Sequence, residues 1–286
     1  MDYTNYSTIV YSGGKTASTS LYESFLRNGY KSIHVHSEEE YRLTHKQIAN
    51  FIPNLSSFIE LQRLNKVFII DSYRTPIERK ISSFFENITK YLGKNYMGLD
   101  VKILVYYFNK FMLNTLENYH PLDIEFNVFE NKEFNFKKKY ALNVINNKIY
   151  LKLRFKDIAE WPNILTPFLE KTIKISHLIN GDSEHPGYKL FKSIYKLPTS
   201  YLNVLENDKY LHKYNTPSEV EEYLKMWSEK SENNMNELLN NIVFNRVPDN
   251  FDVEQYAIQH PEILNEYKTP IELKIHYELF GYKNYY

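Results

Sequence analysis

The stretch that decides the fold is Thr8-Ile9-Val10-Tyr11-Ser12-Gly13-Gly14-Lys15-Thr16-Ala17-Ser18-Thr19. Its first four residues form a β-branched run typical of a buried strand, and the run stops at two glycines. A helical pattern of apolar residues follows. A strand that leads through a glycine-containing loop into a helix directs backbone N–H groups and the positive end of the helix dipole at one point. The stretch therefore predicts a phosphate-binding loop, with a positive charge from Lys15 and hydroxyl donors from Thr16, Ser18 and Thr19.

Strands and helices alternate outward from this loop. The pattern predicts strands at residues 32–36 and 66–71, helical segments at about 42–52 and 54–64, and a helix that opens at Thr75-Pro76. A hairpin is expected around Asn146-Asn147, because asparagine tolerates the positive φ of a tight turn. Such alternation indicates α/β architecture, a mostly parallel central sheet flanked by helices in three layers.

The composition excludes several classes of function. The 286 residues carry 35 Lys and Arg against 35 Asp and Glu, so no basic excess is present for a nucleic-acid surface. The absence of cysteine excludes disulfides and thiolate chemistry. Because the sequence shows neither a signal peptide nor an apolar run of about 20 residues, we expect a cytoplasmic protein with no membrane span.

Three kinds of phosphate-binding loop share part of this stretch, and a tight turn beside a solvated lysine is the simpler alternative. The Walker loop requires glycine where Ile9 stands. The SGGxDS loop of ATP pyrophosphatases matches the opening at Ser12, but it expects Asp at Thr16 and Ser at Ala17. The sulfotransferase loop resembles Lys15-Thr16-Ala17-Ser18-Thr19, with Ala17 in place of the usual glycine.

A second segment, residues 69–85, is also similar to sulfotransferases. In that family, an arginine at the end of a strand and a serine on the next helix bind the 3′-phosphate of the sulfuryl donor, 3′-phosphoadenosine 5′-phosphosulfate (PAPS). Arg74 and Ser82 stand at the family spacing. The resemblance covers about residues 8–230 and implies a sulfotransferase-like P-loop fold that uses PAPS and needs no metal. The implied donor-binding residues are Gly13, Gly14, Lys15, Thr16, Ala17, Ser18, Thr19, Arg74 and Ser82.

The resemblance also implies in-line transfer of the sulfuryl group to a hydroxyl, with Lys15 near the bridging oxygen. A base must take the acceptor proton, and His36 and Glu38, which follow the second predicted strand, are equal candidates. Glu39 and Glu40 fit the start of a helix better. Two other classes stay open: an ATP-using ligase or pyrophosphatase, and a catalytically silent protein that binds a nucleotide or a glycan.

The end of the chain indicates the acceptor. The run Val247–Asn250 is typical of a linker, and it predicts a domain at residues 1–246 followed by a small helical module at 251–286. The module resembles one that is appended to glycan-processing enzymes. Residues 188–227 resemble the C-terminal part of a sulfotransferase-like family assigned to capsular polysaccharide synthesis. Both resemblances imply a carbohydrate or polysaccharide acceptor.

Overall fold

The computed structural model describes residues 3–113, 120–169, 171–175, 186–229, 231–232 and 239–281. The chain divides into two compact units. The first comprises Met1–Arg79, Glu117–Ile179 and Asn207–Glu222, and the second comprises Lys80–Leu116, Asn180–Glu206 and Tyr223–Tyr286.

The first unit is built on a five-stranded, mostly parallel sheet. Its strands are β1 (Thr8–Tyr11), β2 (Ser32–Val35), β3 (Val67–Tyr73), β4 (Tyr140–Ile145) and β5 (Lys148–Arg154). They are arranged in the order β2-β1-β3-β5-β4, and β4 alone of the five runs antiparallel to its neighbour. Every residue of β1 and β3 is buried, as expected for central strands covered on both faces.

The α-helices that lie wholly within the described residues, in chain order, are α1 (Ser18–Arg27), α2 (Glu38–Thr44), α3 (Lys46–Ala49), α4 (Leu55–Glu60), α5 (Pro76–Glu86), α6 (Ile88–Leu92), α7 (Val101–Tyr107), α8 (Pro121–Ile124), α9 (Trp161–Leu169), α10 (Pro186–Ile194), α11 (Leu202–Glu206), α12 (Lys209–Tyr214), α13 (Pro217–Glu229), α14 (Val253–Gln259) and α15 (Pro270–Leu279). Among the described residues, no helix combines the length and the apolar character that crossing a bilayer requires.

The sheet has a hydrophobic core on each face. Ile9 packs in one core with Phe58 of α4, whereas its neighbour Val10 packs in the other with Leu21 and Phe25 of α1. This alternation follows from the two-residue period of a strand. Helices therefore flank the sheet on both sides, as the sequence predicts.

Local structure departs from the sequence prediction in one region. The strands at 32–36 and 66–71 are confirmed, the second of them extended to Tyr73, and the hairpin at Asn146 is confirmed with φ 55°. The helical segments at 42–52 and 54–64 are wrong in their bounds. The first helix begins earlier, because the Ser37 side chain accepts a hydrogen bond from the Glu40 N–H at 3.1 Å and caps α2. It also ends earlier, and α3 stops before Pro53, a residue that disfavours helical backbone on its N-terminal side.

The second unit has an aromatic core that includes Phe84, Phe108 and Phe191. Its short strands β6 (Leu197–Pro198) and β7 (Ser231–Glu232) pair in parallel. The described part of the tail belongs to this unit, where Glu272 of α15 accepts hydrogen bonds from Tyr106 Oη at 2.7 Å and Lys110 Nζ at 2.5 Å. A separate module at 251–286 stays a prediction.

Candidate functional site

Three adjacent parallel strands end at one edge of the sheet, and each is followed by a predicted site residue. The predicted phosphate-binding loop follows β1, His36 follows β2 and Arg74 follows β3. The register pairs Tyr11 with Val35 and Val10 with Ile70, so the carboxyl ends of these strands lie together. This edge is where an open parallel sheet binds its ligands.

The loop between β1 and α1 is held by its own hydroxyl groups. Thr16 Oγ1 donates to the Gly13 carbonyl at 2.7 Å and lies 2.8 Å from Ser12 Oγ. Ser72, on the neighbouring β3, donates its Oγ–H to the Thr16 carbonyl at 2.9 Å. The Thr16 hydroxyl, predicted as a phosphate donor, therefore also fixes the loop. Lys15 is buried in this frame.

The backbone conformation of the loop has a feature that the sequence did not indicate. Lys15 and Ala17 have positive φ angles of 66° and 65°, whereas Gly13 and Gly14 do not. A side chain in this left-handed region costs roughly 1 kcal/mol or more, and glycine avoids that cost. The resemblance places glycine in sulfotransferase loops at the position of Ala17, so the structure supplies a physical reason for it.

We expect Ala17→Gly to raise the free energy of unfolding by about 1 kcal/mol, because it removes the left-handed strain and because glycine is the better N-cap. Chemical denaturation measures the change. Ala49→Gly is the matched control: Ala49 lies in α3, where glycine should cost about 0.5–1 kcal/mol. A destabilised Ala17→Gly protein would contradict this loop conformation.

The N-terminus of α1 is suited to an anion. Ala17 is its N-cap, no side chain caps it, and no acidic residue lies in its first turn. The first N–H groups of a helix have no partner within the helix, and a bound phosphate can accept from them. Ser18 is buried in this turn and Thr19 is exposed. All the predicted loop residues are thus in one place.

Two arginines are hydrogen-bonded to the loop, and only one of them was predicted. Arg74 Nη1 donates to the Lys15 carbonyl at 3.1 Å, and its guanidinium lies 4.4 Å from the centre of the Phe155 ring. Arg79 Nε donates to the Gly14 carbonyl at 2.9 Å. Arg79 is 9% exposed, and its Nη1 is buried without a hydrogen-bond partner among the described residues.

A buried donor without a partner is costly, and a ligand anion would satisfy it. Burial is the main cause that lowers the pKa of Arg79 to about 10; Asp71 opposes this effect and Arg74 adds to it. The side chain therefore remains charged at neutral pH. Nothing in the sequence separates Arg79 from an ordinary surface arginine of a helix. Ser82 is buried on α5 but belongs to the second unit, and its part in phosphate binding stays a prediction.

The two candidate bases have different surroundings. His36 Nδ1 lies 2.6 Å from the Ser12 carbonyl. A carbonyl only accepts, so Nδ1 carries the proton and Nε2 of the neutral ring is left as an acceptor.

Both oxygens of Glu38 instead accept from the Leu55 N–H, at 2.9 and 3.1 Å, and one lies 3.6 Å from Arg42. Glu40 accepts from the His36 N–H, and Glu39 is exposed.

Behind the loop lies a buried ionic network that the sequence did not reveal. Lys152 Nζ contacts Asp71 Oδ2 at 2.6 Å and Asp123 Oδ2 at 3.0 Å, and Lys213 Nζ contacts Asp123 Oδ1 at 2.7 Å. Asp71 precedes Ser72, whose N–H donates to Ser12 Oγ at 3.1 Å.

Burial raises the pKa of Asp71, although Lys152 opposes this. Burial also acts to raise the pKa of Asp123, but Lys152, Lys213 and Tyr214 outweigh it and the pKa is lowered.

Comparisons of the chain with protein-family models, with curated proteins and with solved structures give no match. Membership of the sulfotransferase family therefore stays a prediction.

Proposed function

We propose that this protein is a PAPS-dependent sulfotransferase that transfers a sulfuryl group to a hydroxyl of a carbohydrate acceptor. The observation that carries the proposal is the loop Ser12–Thr19, with Lys15 buried and with two guanidinium groups bonded to its carbonyls. Three cationic side chains around one uncapped helix N-terminus suit a ligand with more than one phosphate group. The flanked parallel sheet is also consistent with the sulfotransferase-like P-loop fold.

In this proposal, different residues bind the two phosphate groups of the donor. Backbone N–H groups of the loop and of the first turn of α1 hold the 5′-phosphate, with Ser18 and Thr19 close by. Arg74 holds the 3′-phosphate. The buried Nη1 of Arg79 donates a hydrogen bond to one of the two phosphates.

The transfer itself is a displacement at sulfur. The acceptor hydroxyl oxygen forms a bond to sulfur while the bond from sulfur to the bridging oxygen of the 5′-phosphate breaks, and 3′-phosphoadenosine 5′-phosphate leaves. Lys15 stabilises the charge that develops on the bridging oxygen, by analogy with phosphoryl transfer. His36 Nε2 takes the proton of the hydroxyl. The geometry favours His36 over Glu38, since Glu38 is occupied by Leu55 and Arg42.

We expect 3′-phosphoadenosine 5′-phosphate to bind in the presence of EDTA at least tenfold more tightly than AMP, because charge-assisted hydrogen bonds to the 3′-phosphate contribute about 1.5–3 kcal/mol. Isothermal titration calorimetry measures both affinities. Equal affinities would contradict the proposal. Tighter binding of ATP with magnesium would indicate the pyrophosphatase class instead.

Arginine variants make this test specific. Arg74→Met should remove the preference for the bisphosphate over AMP, and Arg79→Met should weaken bisphosphate binding by about tenfold or more. Arg63→Met is the matched control, because Arg63 is an exposed arginine of the same unit. A loss in the control equal to that in Arg79→Met would show that general charge, rather than the loop, binds the nucleotide.

A further inference from the structure

The first unit contains a cavity of about 900 Å³ formed by residues 123–136 and 209–217. None of the predicted site residues lines it. Its volume lies within the range of small-molecule sites. Among its lining residues, Asp123, Phe134, Tyr210 and Asn215 are buried, whereas Asn131, Glu133 and Lys209 are exposed. We call it the Asp123 cavity.

The charges that line the Asp123 cavity are balanced. Its carboxylates are those of Asp123, Glu130 and Glu133, and its ammonium groups are those of Lys132, Lys209 and Lys213. With His212 counted as neutral, the lining has no net charge, which gives no advantage to a polyanion. Carboxylates only accept hydrogen bonds, ammonium groups only donate them, and the amides of Asn127 and Asn131 do both. A hydroxyl group also does both, so a polyhydroxyl ligand can use every kind of group in the lining.

Aromatic rings give the Asp123 cavity apolar surface. Phe136 is half-buried and contacts Phe134, with ring centres 5.3 Å apart. Tyr210 contacts His120, and the centres of the two rings lie 4.3 Å apart. Burial lowers the pKa of His120 well below its ordinary value, and Lys152 and Arg79 lower it further. His120 is therefore neutral at pH 7 and adds no charge beside the cavity.

Buried lining residues of the cavity are connected by polar contacts to the loop Ser12–Thr19 of the same unit. Lys152 forms ion pairs with both Asp123 and Asp71. Asp71 lies in β3 next to Ser72, whose hydroxyl donates to the Thr16 carbonyl of the loop. Asn215 Nδ2 donates to the Tyr73 hydroxyl at 3.2 Å, and Tyr73 immediately precedes Arg74. Ion pairs and a hydrogen bond thus connect the lining of the cavity with β3, the strand that precedes Arg74.

We propose that the Asp123 cavity binds the sugar units of the acceptor, and that it selects uncharged sugars. Sugar rings present apolar C–H faces and many hydroxyl groups, which match the aromatic rings and the mixed donors and acceptors of the lining. The role of these sugars as the acceptor rests on the proposed function, whereas binding of a neutral saccharide to the cavity does not.

A printed array that carries neutral and anionic glycans tests the proposal with the whole chain. We expect binding to neutral glycans and little to anionic ones. Phe136→Ala should weaken that binding by about tenfold, which corresponds to about 1.4 kcal/mol for the lost aromatic contact, and Phe136→Tyr should retain it. Phe51→Ala is the matched control, because Phe51 is an exposed phenylalanine (75%) of the same unit outside the cavity.

A charge variant sharpens the result. Glu133→Lys, at an exposed position, gives the lining a net positive charge and should shift binding towards anionic glycans. The proposal is overturned if the wild-type chain binds no glycan, if it prefers anionic glycans, or if Phe136→Ala binds as the wild type does. Calorimetry with 3′-phosphoadenosine 5′-phosphate separates the two proposals. Nucleotide binding without glycan binding defeats the cavity assignment alone, and glycan binding without nucleotide binding defeats the sulfotransferase alone.

Discussion

Replacing Lys152 by methionine is expected to lower the free energy of unfolding by about 3–5 kcal/mol, the range measured when one member of a buried ion pair is removed. Lys152 is completely buried, and its ammonium group contacts two carboxylates, those of Asp71 and Asp123. Methionine fills similar space but leaves both carboxylates without that charge. Chemical denaturation at pH 7 measures the loss.

The pH dependence of this loss has a defined sign. Without Lys152, the already raised pKa of Asp71 should rise further. A carboxyl with a raised pKa in the folded state stabilises it below the unfolded value of about 3.9, and this contribution is lost as the pH rises through the folded value. The lowered pKa of Asp123 in the wild type acts oppositely, since its contribution is lost as the pH falls. The deficit of Lys152→Met should therefore be smaller at pH 5 than at pH 8.

Two further variants keep the test decisive. Lys152→Met combined with Asp71→Asn should recover part of the lost stability, because it removes one of the two buried carboxylates, and it serves if the single variant does not fold. Lys137→Met, at an exposed position, should change stability by less than about 0.5 kcal/mol. A cost below about 1 kcal/mol for Lys152→Met would show that the pairs contribute little.

The sequence predicts the architecture well because hydrophobic periodicity is a local signal. The apolar runs of β1 and β3 are buried throughout, and Asn146 adopts the positive φ that its turn requires. It also predicts that Lys15, His36 and Arg74 share one edge, since the ends of adjacent parallel strands must lie together. Those residues are brought together by chain topology alone.

The remaining features of the site depend on long-range packing. Arg79 on α5 looks like a solvated arginine until its helix lies against Gly14. Lys152 interrupts the apolar pattern of β5 by a single residue, and its partners stand 81 and 29 residues away. The difference between His36 and Glu38 arises from contacts with Ser12 and Leu55. No spacing rule contains any of these contacts, so they appear only when the whole unit is assembled.

His36→Gln is expected to lower the turnover number by about 10²–10⁴-fold, the usual contribution of a general base. Glutamine has a similar size and can still donate to the Ser12 carbonyl, but its side-chain amide does not take up a proton. Transfer of ³⁵S from labelled PAPS to pooled neutral and acidic oligosaccharides measures turnover. Calorimetry with 3′-phosphoadenosine 5′-phosphate should give an unchanged affinity, because the proposed donor contacts are on the loop and on the arginines.

Glu38→Gln is the matched control, since it removes the charge of the other candidate. It should keep turnover within a few-fold of the wild type, with a small loss of stability, because an amide oxygen can still accept from the Leu55 N–H. If Glu38→Gln loses turnover and His36→Gln keeps it, the roles are reversed. If both keep it, neither residue is the base, and the hydrogen bond of His36 Nδ1 to the Ser12 carbonyl then serves only to hold the loop.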